Sequence, residues 1–214
     1  MQEINNDLKK YVEENIFPIY EKNDAGHNLE HINYVIKRCL KFSEQFSNIN
    51  LDMIYAIAAY HDVAHHIDKD NHETLSAKWF YEDENTKKFF SEEERLMIKE
   101  AIEDHRASLE SEPRSDYGKI VSSADRSTDV KMILKRTHLY SLKHYPKISL
   151  EEMIDRAYKH IRQKYGSEGY AKNYCLDEEY NQFKKEVKLL LKDKNEFINK
   201  YLEVNGIKNS NNCK

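Results

Sequence analysis

Residues 55–66 read YAIAAYHDVAHH, an apolar run that ends in a His–Asp pair and two more histidines. Imidazole moves protons near neutral pH and ligates transition cations, and a carboxylate serves as base or ligand. Burying either is costly unless something binds it. The helical stripe Ile54, Ile57 and Ala58, continued in steps of three and four, reaches His61, Asp62 and His65. These polar groups therefore lie on an inward face. The same test selects His31, four residues before Val35, and His72, ahead of Leu75, Ser76 and Trp79. It also selects His105, behind Ile98, Ala101 and Ile102, and Asp125, within KIVSSADRSTDV. If these five segments converge, they build a nitrogen/oxygen metal site inside a helical bundle. Taken singly, an inward histidine is ordinarily a hydrogen-bonded core residue, and a buried aspartate a cap or an arginine partner. His138, His144 and His160 belong to no pattern and take that ordinary reading. The adjacent His61 and Asp62 have no evident capping task, and the set as a whole favours a cation.

The elements that must position these groups read as helices. Five glycines and three prolines in 214 residues are too few for the turns of an all-β chain, and helical periodicity recurs along nearly the whole sequence. We expect an all-α fold with helices over about 5–21 (bent or ended by Pro18), 29–46, 51–65, 71 onward, 91–108, 117–142, 149 onward and 177–202. Ser91 and Ser149, each followed by acidic residues, read as caps. DAGHN (24–28) and SEPRSD (111–116) read as turn and loop, and the tail 205–214 as frayed. The chain reads as one domain, 1–214, with its metal-binding core over 20–142 and additional helices over 143–214 that pack on or cap that core.

Composition narrows the function. The formal net charge is −4 with both signs interspersed, which argues against DNA or RNA as partner. The lysines of the last third fit a solvated helix face opposite Phe183, Val187, Leu190 and Leu191. No stretch approaches 18 apolar residues and the N-terminus is too polar for a signal peptide, so a cytoplasmic protein without a membrane partner is expected. Cys39, Cys175 and Cys213 are widely spaced and odd in number, so neither a disulfide framework nor a thiolate zinc site is suggested.

In order, His31, His61–Asp62 and Asp125 resemble the signature of the HD superfamily of metal-dependent phosphohydrolases. DAGHNLEHINYV resembles the opening stretch of the family, AIAAYHDVAHH the helix ending in the His–Asp doublet, and IVSSADRSTDV the helix with the final aspartate. HETLSAKWF and AIEDHRAS resemble the histidine-bearing helices of members with extra ligands. The likeness covers about residues 20–142. It implies an HD-domain-like helical bundle in which His31, His61, Asp62 and Asp125 ligate one divalent metal. Asp62 is then the residue able to bridge two metals. His72 and His105 match the extra histidines of dinuclear members, and whether they hold a second ion or contact phosphate stays open. There are departures: Tyr34 stands where the family has an arginine, the Glu–Asp doublet of the alarmone hydrolases is absent, and no GYP-like block occurs. The chain resembles most the small stand-alone HD hydrolases.

The chemistry suits these residue types. A divalent cation neutralises a phosphoryl oxygen and makes hydroxide available near pH 7. Imidazole and carboxylate suit manganese, iron, cobalt, nickel or zinc, as one ion or two. His27, His65, His72 and His105 are candidates for phosphate contact or proton transfer, and Asp62, His65 and His105 make up the candidate catalytic set. His66 can flank the site if the helix continues that far. Lys69 reads as solvated, with phosphate contact as its alternative. Arg126 reads as a structural ion-pair partner, and Asp129 either as an orienter of a ligand histidine or as a surface residue. The expected function is hydrolysis of a nucleotide or other small phosphate ester, with oligomeric state open. The alternatives are a dinuclear-iron oxygenase and a nucleotide sensor without turnover.

Overall fold

A computed structural model of the chain describes residues 3–24 and 26–208. Cys213 and the frayed end expected over 209–214 lie outside the described residues. The described residues form helices and no strand: α1 (Asn6–Asn15), α2 (Leu29–Ser43), α3 (Leu51–Tyr60), α4 (His72–Glu82), α5 (Glu92–Glu103), α6 (Asp116–Ala124), α7 (Val130–His144), α8 (Leu150–Tyr165), α9 (Glu178–Leu190) and α10 (Lys194–Val204). Two short 3-10 segments occupy Phe17–Lys22 and Glu84–Lys88. The fold is all-α, as the composition predicts. No helix among the described residues is long and apolar enough to cross a membrane.

The chain divides into two compact units. One holds the residues up to Arg126 together with Asn173–Leu176, and the other holds Ser127–Lys172 and the chain from Asp177 onward. In the first unit α3 is central. Every residue from Met53 to Ala64 is buried, which is the environment a helix apolar on all sides requires. Helices α2, α5 and α6 pack along it, α1 and α4 also touch it, and α4 lies along α5. Tyr20 ties the 3-10 segment to this centre, its buried hydroxyl donating to the Ala59 carbonyl at 2.7 Å. In the second unit each of α7, α8, α9 and α10 packs on the other three. Phe183, Val187 and Leu190 face inward, while Lys185, Lys188 and Lys192 stand exposed on the opposite side, as expected of a solvated face.

The ends of the helices depart from the periodicity in ways that matter for the site. The first helix stops at Asn15, and Pro18 sits in the 3-10 segment behind it. The helix expected to reach 65 stops at Tyr60. Beyond the His61 amide, Val63, His65 and Ile67 each bond three residues back, to Tyr60, Asp62 and Ala64, so the segment is wound as tight turns. The helix expected over 117–142 is two helices. Asp125 closes α6 and Asp129 opens α7, its side chain accepting from the Lys131 amide at 2.7 Å and the Met132 amide at 3.3 Å. The reason is local: in SSADRSTD the short polar side chains compete for backbone donors. The helix expected over 177–202 is likewise split by Asp193, which caps α10. Ser91 and Ser149 both form capping boxes, with Glu94 and Glu152.

Asp129 is therefore a cap. Asp129→Ala is expected to cost about 1 kcal/mol of stability and to leave metal affinity unchanged. A tenfold fall in affinity, measured by calorimetric titration of the metal-free protein, would restore the reading of Asp129 as an orienter of a ligand.

Candidate metal centre

Six of the inward polar groups selected from the sequence sit at or near a helix end, and the seventh, His65, lies in the tight turns after α3. His31 lies in the first turn of α2, where Asn28 caps the helix by accepting from the His31 amide at 3.1 Å. His61 and Asp62 follow α3, His72 opens α4, His105 follows α5 and Asp125 closes α6. All six lie in the first unit.

Asp62 is almost fully buried, and its two oxygens face different partners. Oδ2 lies 3.4 Å from His61 Nε2 and 3.7 Å from His31 Nε2. His31 Nε2 is in turn 3.1 Å from Asp125 Oδ1. Oδ1 lies 3.2 Å from His72 Nε2 and 3.5 Å from His105 Nε2, and those two nitrogens are 3.2 Å apart. The carboxylate thus separates two half-sites: His31, His61 and Asp125 on one oxygen, His72 and His105 on the other.

The imidazoles are fixed from behind. The Nδ1 atoms of His61, His72 and His105 lie 2.8, 2.8 and 2.7 Å from the carbonyls of Ala58, Lys69 and Ile102, each three residues earlier. A neutral ring that donates from Nδ1 presents a bare Nε2 lone pair to the centre, an orientation typical of metal-ligating histidine. The buried His31 Nε2, His61 Nε2 and Asp62 Oδ1 have no hydrogen-bond partner of acceptable geometry. Orphaned polar atoms at such depth are costly; a divalent cation between His31 and His61 would satisfy their two nitrogens, and Asp62 Oδ1 faces the other half-site. The donor set fits a nitrogen/oxygen-preferring transition cation.

Electrostatics point the same way. Burial would raise the Asp62 carboxyl, but His61 and His105 hold it well below the usual carboxylate range. Burial likewise opposes ionisation of Asp125, and His31 and His61 outweigh it. Burial pulls the His61 imidazole down, yet the charge and hydrogen bond of Asp62, with Asp125 behind, push it up to about 9. His72 is lowered by burial and by His105.

Around Asp62 the rings of His27, His31, His61, His105, His72 and His65 form a closed cycle, each within 5.8 Å (centroid to centroid) of the next. His65 is nearly buried and is lowered to about 4, first by burial and then by His27. It is neutral at pH 7, a weak base whose buried Nδ1 has no hydrogen-bond partner. His27 is more open and pairs with Asp24 at 2.8 Å, whose other oxygen takes Lys69 at 2.8 Å. Asp24 is a site residue the sequence reading passed over, because DAGHN reads as a turn. Its three-residue offset from His27 was the available signal. Asp24, His27 and His65 also bring three donor atoms within 4.8 Å of one another. However, the rings of His27 and His65 stack at 3.7 Å and 22°, so their lone pairs lie in two nearly parallel planes, a poor arrangement for sharing one ion.

Two candidates fall away from the centre. His66 turns to Asn23, with Nδ1 3.2 Å from Oδ1, and packs edge-on to Trp79. Lys69 reaches the rim through Asp24 only. Asn23 has a positioning task that its sequence context did not announce: its amide donates to the carbonyls of both His27 and Asp62, each at 3.0 Å. Arg126 is buried and structural, donating to Ser122 Oγ at 2.5 Å and to the His105 carbonyl at 3.4 Å.

A His/Asp centre gathered from helix ends in an all-helical unit defines a class, and the comparisons agree with it. Residues 28–128, a little under half of the chain, match the family model of the HD domain. That stretch carries every residue of the two half-sites and is similar to the HD domain. No curated protein matches the chain. Among solved structures, a predicted HD superfamily hydrolase from an uncultured Thermotogales bacterium is similar at 18% identity and a TM-score of 0.45, over 72% of this chain and 82% of that one.

Proposed function

We propose that the protein is a metal-dependent phosphohydrolase acting on a small phosphate ester such as a nucleotide. The observation that carries this reading is the Asp62 carboxylate, buried between two sets of imidazoles, with its own Oδ1 and the Nε2 atoms of His31 and His61 lacking a hydrogen-bond partner. His31, His61, Asp62 and Asp125 would hold one cation, and Asp62, His72 and His105 a second. Cations bound there would supply neutralisation of a phosphoryl oxygen and a water of lowered pKa.

The chain's own groups do the rest. The carbonyls of Ala58, Lys69 and Ile102 hold three rings in register. His65 stands neutral beside His27 and His72, where its unpartnered Nδ1 can bond to substrate or water. His27, oriented by Asp24, lies at the open rim and can exchange a proton with solvent. Lys69 offers a rim charge that can pass from Asp24 to an anionic substrate.

The test is a panel of phosphate mono- and diesters and nucleoside phosphates incubated with protein loaded with manganese, iron or nickel. Release of phosphate or pyrophosphate that depends on metal is the expected result. Binding without product would replace the enzyme by a sensor. The His72–His105 pair also suits an iron-pair oxygenase, and oxygen uptake by the iron-loaded protein without phosphate release would favour that second reading.

A further inference from the structure

The half-site on Asp62 Oδ1 depends on two helix ends meeting, and the start of α4 is weakly anchored by its own residues. Asn71 stands at the cap position but makes no capping bond, its amide donating instead to Asp68 at 2.8 Å. An external tether takes the place of the cap. Arg106, next to His105, sends Nη1 to the Asp70 carbonyl at 2.5 Å and to the Glu73 carboxylate at 3.0 and 3.3 Å. Glu73 is next to His72. One ion pair thus fastens the residue beside each of the two imidazoles whose Nε2 atoms face one another at 3.2 Å.

We propose that Glu73 and Arg106 form a positioning pair that sets His72 against His105 and so governs occupancy of the second cation position, while His31, His61 and Asp125 are independent of it. This rests on the two-cation reading above. Arg106 acts on His105 through the neighbouring backbone, and Glu73 acts on His72 both that way and from behind the ring, its Oε2 3.6 Å from Nδ1 and on the side away from the centre. A ligating ring displaced by about 1 Å is badly placed.

The experiment is calorimetric titration of the metal-free full chain with manganese alone. Wild type shows two binding phases, and the phase lost in His72→Ala is the second position. Arg106→Gln and Glu73→Gln each weaken that phase at least tenfold and leave the other within twofold. Arg106→Lys, which keeps the charge and a donor, recovers most of the loss. Survival of the other phase shows that the variants are folded. Unchanged affinity in both variants, or equal weakening of both phases, overturns the proposal. A single wild-type phase insensitive to His72→Ala instead overturns the two-cation reading, and the proposal falls with it.

Discussion

Asp62→Asn is expected to empty the centre. The substitution keeps the shape and removes the one charge that both half-sites share. Protein purified without chelator or added metal should carry a transition cation as wild type and essentially none as the variant, by elemental analysis. Saturating manganese at a thousandfold excess over its dissociation constant adds about 4 kcal/mol to a folded protein that binds it. The wild-type melting temperature should therefore climb on addition of manganese, and that of the variant should not move. Turnover on any ester found in the panel should fall at least a thousandfold, about 4 kcal/mol of transition-state stabilisation. Asp125→Asn and His105→Ala are milder, because each touches one oxygen's half-site. If Asp62→Asn retained the wild-type metal content, the buried imidazoles would be core residues and the functional reading would fail.

The second large effect is a dependence on pH whose direction differs with and without metal. In the metal-free protein His61 titrates at about 9 against an ordinary 6.5. The folded state holds that proton more tightly than the unfolded chain. Its contribution is present in full below about pH 6.5 and is lost as pH rises through 9. At about 1.4 kcal/mol per pKa unit, the full loss is about 3.5 kcal/mol. Asp62 and Asp125 act in the opposite sense, since their depressed carboxyls stabilise above the ordinary carboxylate range and lose that contribution as pH falls through it. Metal-free protein should thus melt highest between about pH 5 and 6.5 and progressively lower toward pH 9.5. A cation needs the neutral ring, so binding expels the proton and apparent affinity should rise up to about tenfold per pH unit below 9. The gain in melting temperature on adding manganese should widen accordingly from pH 6 to 8.5. A metal-free melting temperature flat across pH 6.5–9.5 would remove His61 as the responsible group, and His61→Gln should flatten it.

How much of this was legible in the sequence depends on the residue. His61 and Asp62 stood out because MIYAIAAY is apolar on every side, which leaves no solvated face for a polar pair at its end. Asp125 was legible as a carboxylate among inward positions, but the break that follows it was not, since apolar spacing continues on both sides of SSADRSTD. The tight turns over 61–67 separated His65 from His66, where continuous helix would have kept both beside the centre. Asp24 and Asn23 were hidden for a different reason. Asn23 acts across the fold on the Asp62 carbonyl, and Asp24 acts both on Lys69 and on His27 three residues on, the one local sign in a stretch that otherwise reads as a turn. The division of the two Asp62 oxygens is a matter of ångströms, which no spacing rule encodes. Glu73 and Arg106 are of the same kind, 33 residues apart and ordinary in composition.

The gathering of ligands from helix ends has a mechanical consequence. His31, His61–Asp62, His72, His105 and Asp125 lie on segments that only the folded chain brings together. An ion held by them is a reversible cross-link that ties off the intervening loops, restricting the unfolded chain much as a disulfide does. Such a knot cannot be undone one strand at a time. Were release of such an ion to need a helix end to lift from the centre, exchange with a chelator would follow the rate of local opening and saturate as chelator is raised. By the same coupling, a cation held by these residues would report on the packing of α2 to α6 as a whole.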